Sequence, residues 1–273
     1  MSSAFINTNR RHLLQLAAVS TTAWALPGHS FAAVTERSGS PDRLVTHKTF
    51  WGATLSCDNA AVPVSERSTR LATLADFGGS PQCTMLKNSM EGPFFFCTNP
   101  GIADIARGRP GGPLTVALRA VDAATCQPIR DAVIDVWHCD ASGLYSGHNL
   151  AVDEAVQGAS HTPPVNNDRH CRGALRTDSD GIAEFRSIYP GFYVDRAIHI
   201  HFKVHVGNRA FLTNQALLPE AVNTAVLATA PYNMPRKSKR ISNAQEADWG
   251  LPTMKFVDSP RTRLAVLDLV LPV

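Results

Sequence analysis

The sequence predicts an all-β protein, an antiparallel β-sandwich with long loops and an irregular N-terminal extension. Three observations predict it. Short stretches alternate apolar and polar residues or run to β-branched and aromatic ones, glycine- and aspartate-rich turn signals separate them, and no long segment carries a helical period. The expected strands are Leu114–Val121 (LTVALRAV), Ala132–Trp137, Ile182–Ile188, Ala197–Val206, Arg209–Leu212 and Leu264–Leu271. Asp178-Ser179-Asp180-Gly181 introduces the third, and Gly207-Asn208 joins the fourth to the fifth. No internal repeat is visible.

Three regions follow from composition. Residues 1–32 read as an export signal: Arg10-Arg11 precede an apolar run too short to span a membrane, and Ser30-Phe31-Ala32 supplies a small-residue cleavage site. The paired arginines make it a twin-arginine type, so a soluble mature chain is expected in the periplasm or outside the cell. Residues 33–103 form the extension. In it Thr69–Phe77 is expected as a short helix, ended by Gly78-Gly79-Ser80-Pro81. Glu91-Gly92-Pro93-Phe94-Phe95-Phe96 reads as a core-covering loop or edge strand. Residues 104–273 make the sandwich, entered through the turn region Gly108–Pro113.

Charge excludes one class of partner. The formal net charge is +3, with both signs mixed along the chain, and the cluster Arg236-Lys237-Ser238-Lys239-Arg240 has no interleaved aromatics, so it reads as a solvated loop rather than a nucleic-acid patch. Six cysteines, at 57, 83, 97, 126, 139 and 171, suit two or three disulfides in an exported chain, with pairing open. None is spaced CxxC, which disfavours a thiolate zinc site.

Chemistry gathers in two stretches. On the expected strand Ala197–Val206, His199 and His201 are two apart, so both imidazoles leave the same face and make half of a metal site. Between the second and third strands runs a long irregular excursion, Asp140–Arg176, carrying Tyr145, His148, His161 and His170; loops of that length are uncommon unless functional. Two of the four tyrosines lie in glycine-flanked turns beside the histidine face. Two phenolates with two imidazoles would offset most of a trivalent charge, favouring Fe(III) and disfavouring copper(I) and zinc. Each residue also has a structural reading. A histidine pair on a strand is commonly structural, a turn tyrosine such as Tyr189 caps a core with its hydroxyl on backbone, and Arg196 alone is a surface charge or a partner for Asp195.

Taken together, WHCDASGLYSG, TDSDGIAEFRSIYPGFY and RAIHIHFKV closely resemble the intradiol ring-cleaving dioxygenases, the protocatechuate and catechol dioxygenases. EGPFFF and DIARGRPGGPL, from Asp104, match the family's stretch before the first sandwich strand, and the resemblance covers roughly residues 91–215. It implies Fe(III) as cofactor, held by Tyr145, Tyr193, His199 and His201. It further implies that Tyr193 is the displaceable ligand, that Arg196 faces the bound catechol, and that Gln215 is a pocket glutamine. The implied reaction inserts O2 between the two hydroxyl-bearing carbons of a catechol to give a cis,cis-muconate-type product, with the iron as Lewis acid. Catechol and O2 are then the partners, with no nucleic acid, no membrane span in the mature chain, and room for a homo-oligomer. His148, His161, His170 and His205 have no place in the pattern and read as loop or surface histidines.

The sequence departs from the family at Phe94-Phe95-Phe96, where tyrosine is common, and at Cys171-Arg172-Gly173, where a bulky apolar residue usually precedes Arg-Gly. A disulfide at Cys171 would clamp the loop that begins at Tyr145. The absence of a long helical dimerisation region places the chain nearer a protocatechuate dioxygenase subunit. Other classes fit the bare residues: a non-catalytic transthyretin-like or carbohydrate-binding sandwich, and a zinc hydrolase using the histidine pair.

Overall fold

Alternation of side chains along the strands builds two four-stranded sheets that face each other across one apolar core. The computed structural model describes residues 44–48, 54–79, 81, 83–98, 101–148, 161–193, 195–207, 209–236, 239–259 and 262–273. The export signal lies outside them, as do residues 149–160 of the long excursion. The strands are β1 Leu44–Lys48, β2 Thr54–Asp58, β3 Pro113–Asp122, β4 Val133–Trp137, β5 Arg172–Arg176, β6 Ile182–Ile188, β7 His199–Val206, β8 Arg209–Leu217, β9 Lys255–Ser259 and β10 Thr262–Leu271. Among the described residues one helix, α1, spans Glu220–Leu227, and 3-10 turns cover Asn59–Ala61 and Asn243–Trp249.

The sheets are ordered β6-β3-β10-β9 and β5-β4-β7-β8, with β1-β2 as a separate hairpin. Pairing is antiparallel, as expected, except that β10 runs parallel to β3. Leu114, Val116, Leu118, Ile134, Val136, Phe185, Ile200, Phe202 and Val204 fill the core between the sheets. Strand parity then decides what lies on the other face. Ile200, Phe202 and Val204 turn inward, so His199, His201, Lys203 and His205 turn outward, opposite Trp137 and Asp135 of β4. That outward face is not solvated. A second cluster of Cys57, Phe94, Phe95, Trp137, Cys139, Tyr145 and Tyr193 covers it, so the extension supplies a wall of the site.

Several expectations need correction. Thr69–Phe77 forms turns rather than a helix, because its backbone donors are taken elsewhere. The N–H groups of Leu71 and Ala72 donate to the Glu184 carboxylate (2.9 and 2.7 Å), and Thr73 N–H donates to Asp76 Oδ2 (2.7 Å). The excursion contains β5, which pairs with β4 through Val133↔Arg176 to Trp137↔Arg172. The strand expected to end at Leu212 continues to Leu217, carrying Gln215 opposite His201. Disulfides join Cys57 to Cys97 and Cys83 to Cys126, while Cys139 and Cys171 are buried free thiols. Cys171 therefore clamps nothing covalently. Among the described residues no helix is long and apolar enough to cross a membrane.

Candidate metal centre

Tyr145 arrives from a loop organised by one carboxylate. Asp140 Oδ1 accepts from Ser142 N (2.8 Å), Ser142 Oγ (2.6 Å) and Leu144 N (3.1 Å), while Oδ2 takes the Arg109 guanidinium. Gly143 is needed within this turn. Its φ is +89°, and a Cβ there would meet the Phe192 carbonyl oxygen at 2.2 Å. Behind Tyr145 lies Arg172, fully buried, whose guanidinium donates to Ser146 O and Oγ and to Phe94 O, and sits 4.1 Å over the Phe96 ring. Burial pushes its pKa down to about 9. Arg172 thus ties the tyrosine loop to the phenylalanine segment.

Tyr193 follows β6 through a turn in which Gly191 N–H donates to Asp140 O (3.0 Å), so a single residue registers both tyrosine loops. The hydroxyls then meet the β7 imidazoles. Tyr145 Oη lies 2.9 Å from His201 Nε2 and 3.5 Å from His199 Nε2; Tyr193 Oη lies 3.0 Å from His199 Nε2, and the two Nε2 atoms are 3.1 Å apart. All four side chains named from the sequence converge on one point.

Electrostatics favour a cation there. Burial, and then the Arg196 charge, holds His199 well below the usual imidazole range; burial, and then His199, does the same for His201, so both rings are neutral. His199 Nδ1–H donates to Ala197 O (2.7 Å), which leaves its Nε2 lone pair facing the centre. Trp137 stacks on His201 at 4.9 Å and 11°. Burial raises the pKa of both phenols, and Tyr193 raises that of Tyr145 further. Phenolates in this place need a compensating positive charge. Among the described residues no group of three or more His, Cys, Asp or Glu side chains is arranged for a metal; the oxygens beside the two imidazoles are those of Tyr145 and Tyr193. Two hard oxygens and two imidazole nitrogens fit Fe(III).

Arg196 borders the centre. Its Nη1 lies 3.2 Å from Tyr193 Oη, its Nη2 donates to Gln215 Oε1 (2.5 Å) and its Nε donates to Glu246 Oε1 (2.5 Å). Arg196 and Gln215 thus lie together beside Tyr193. The partner of Arg196 is Glu246 rather than Asp195.

Other expectations change. His148, His170 and His205 are buried rather than exposed, with His205 Nε2 3.5 Å from Asp135 Oδ2. None of the four extra histidines touches the centre's donor atoms by any contact described. Tyr189 donates to Asn223 Oδ1 (2.6 Å), a side chain, and the tyrosine capping backbone is Tyr232, on Tyr189 O (2.8 Å). Sequence reasoning missed Glu246, Trp137 and His138. The last is fully buried, its pKa lowered to about 4 by burial, and bridges Cys139 O and Ser187 Oγ (2.7 Å each).

The family model described as Dioxygenase matches residues 91–220, the span from the phenylalanine segment through β8 that contains all four donors, Arg196 and Gln215. The crystal structure of an intradiol ring-cleavage dioxygenase from Tetranychus urticae is similar over 70% of this chain and 96% of its own, at 26% identity and a TM-score of 0.64. Together these matches support the intradiol ring-cleavage dioxygenase family for this chain. A second dioxygenase crystal structure matches this chain over the same shares, at 26% identity and a TM-score of 0.62. Catechol 1,2-dioxygenase 1 of Acinetobacter lwoffii is 26% identical over 163 residues, covering 50% of this chain and 46% of that protein. The chain thus spans about half the length of the curated relative it matches.

Proposed function

We propose that the chain is a ferric intradiol dioxygenase that opens a catechol with O2, between its two hydroxyl-bearing carbons, to a cis,cis-muconate-type product. The observation carrying this reading is the meeting of two tyrosine hydroxyls and two imidazole Nε2 atoms, with neighbouring contacts of 2.9 to 3.5 Å, inside the span the family model matches. Tyr145, Tyr193, His199 and His201 would hold Fe(III), which when bound supplies Lewis-acid activation of the catechol toward O2.

The chain's own residues supply the rest. Tyr193 Oη is the donor atom beside Arg196, 3.2 Å from Nη1, and is placed to accept a proton from a catechol hydroxyl. Arg196 presents a fixed N–H toward negative charge developing on the ring oxygens, and Gln215, donating from Nε2 to Met90 O (2.7 Å), keeps that guanidinium from swinging. Phe94 packs on Tyr145 at 4.9 Å and Phe95 on Trp137 at 4.8 Å, which keeps water from the back of the centre. The Nδ1–H bond to Ala197 O sets the tautomer of His199.

A visible spectrum of the purified chain with measured iron content tests this reading. The expected result is a broad tyrosinate-to-iron band that shifts on anaerobic addition of catechol and is lost in Tyr145→Phe and Tyr193→Phe. A colourless protein at full iron loading, or unchanged colour in both variants, overturns it. Catechol and protocatechuate compared as substrates identify the ring.

Export by the twin-arginine route to the periplasm or beyond is part of the proposal. Arg10-Arg11 with the following apolar run supports it, as do two disulfides, which persist in oxidising compartments. N-terminal sequencing of the protein from the exported fraction should begin near residue 33; recovery of the intact N-terminus from cytoplasm alone contradicts export.

A further inference from the structure

Glu246 lies beyond residue 220, where the family match ends, on the 3-10 turn Asn243–Trp249. Its side chain is only 2% exposed, although it is a carboxylate. Oε1 accepts two donors, Arg196 Nε at 2.5 Å and the backbone N–H of Ala197 at 3.0 Å, and Oε2 stands 3.5 Å from Arg196 Nη2. The turn that delivers it is closed at both ends. Ser242 and Gln245 form a capping box, and Gly250 ends it in the left-handed region. Trp249 of the same turn lies under the guanidinium at 4.9 Å.

These contacts use up one edge of Arg196. With Nε on Glu246 and Nη2 on Gln215, Nη1 is the arm directed at Tyr193 Oη. The Ala197 contact reaches the other side of the centre, because the Ala197 carbonyl accepts His199 Nδ1–H at 2.7 Å. One carboxylate therefore braces both the guanidinium and, through its N–H, the residue whose carbonyl orients a histidine. We propose that Glu246 is a positioning residue: it aims Arg196 at the reacting ring while Gln215 and Trp249 hold the guanidinium plane. The inference rests on the dioxygenase reading.

The test uses the full chain loaded with iron, comparing wild type, Glu246→Gln and Glu246→Ala with catechol as the probe. Iron content, the visible band and its anaerobic catechol shift are read beside kcat and KM. In Glu246→Ala the iron and the shift should remain, while kcat falls roughly 10- to 100-fold and KM changes little, since misaiming a catalytic group costs rate rather than binding. Glu246→Gln keeps an acceptor oxygen and should recover part of kcat. Turnover within twofold of wild type in Glu246→Ala overturns the proposal. So does loss of iron and colour in step with activity, with Glu246→Gln no better, which would make Glu246 a structural support only. Should Glu246→Ala not fold, a soluble Glu246→Gln with unreduced kcat overturns it alone. A wild-type chain that binds iron but opens no catechol overturns the dioxygenase reading, and this inference with it.

Discussion

Gly92 stands where the extension passes against the His201 ring. Its φ is +78°, and a Cβ there would lie 3.0 Å from His201 Cε1. Gly92→Ala should cost about 1–2 kcal/mol in backbone strain and displace His201, lowering both the melting temperature and the iron bound per chain. Full iron occupancy in that variant would mean that the ring yields without leaving the centre. Arg172 is the opposite case, a residue whose value lies in what it satisfies. Arg172→Met leaves the Ser146 and Phe94 carbonyls without their donor, and about 2–4 kcal/mol of stability should go with them in a denaturant titration. Neither effect was legible beforehand. A glycine in EGPFFF and an arginine in CRG are unremarkable until the chain is folded over itself.

Elements meet the site through the extension, which one disulfide closes on itself and the other ties to the sandwich. Cys57–Cys97 and Cys83–Cys126 close spans of 40 and 43 residues, for which chain entropy suggests about 4 kcal/mol each. A reductant should therefore lower the melting temperature sharply. Cys57→Ser with Cys97→Ser should reproduce much of that loss, because the first bridge ends beside Phe96, in the segment packed on Tyr145. Replacing the free thiols Cys139 and Cys171 by serine should leave the response to reductant as in wild type. A fall in melting temperature confined to the Cys139 and Cys171 variants would contradict the pairing. Sequence showed six cysteines; it could not say which of fifteen pairings brings them together.

Across the whole molecule, the outer face of the β5-β4-β7-β8 sheet buries a polar row beside His199 and His201. Lys203 pairs with Glu91, and Asp135 stands between Lys203 and His205. Burial raises the Asp135 pKa to about 7; Lys203 opposes this and Glu91 adds to it. The folded pKa lies above the ordinary carboxylate value of about 3.9, so the folded chain holds a proton that the unfolded chain releases. The associated stability is fully present below about pH 4 and is lost as pH rises through about 7. Asp135→Asn should remove that slope, gaining on wild type in melting temperature at pH 7.5 relative to pH 5. A parallel pH dependence in the two proteins would show that Asp135 does not titrate there.

The sequence alone determined the β-sandwich and singled out the four side chains, Tyr145, Tyr193, His199 and His201, that meet in the fold. Strand alternation is local, and a histidine pair two apart declares its shared face without reference to anything distant. Turn chemistry is local too, which is why Ile182–Ile188 was read to the residue. What only the tertiary structure decided comes from remote chain. The parallel β3–β10 pair joins strands separated by most of the domain. Glu184 takes the donors of Leu71 and Ala72 and so forbids a helix that local propensity allowed. His205 is buried because the extension covers a face that its own strand leaves polar. Glu246 reaches Arg196 across 50 residues, and no periodicity records a carboxylate that becomes a brace only when another segment arrives beneath it. Local pattern sets which face a side chain leaves by; distant chain sets what meets it there.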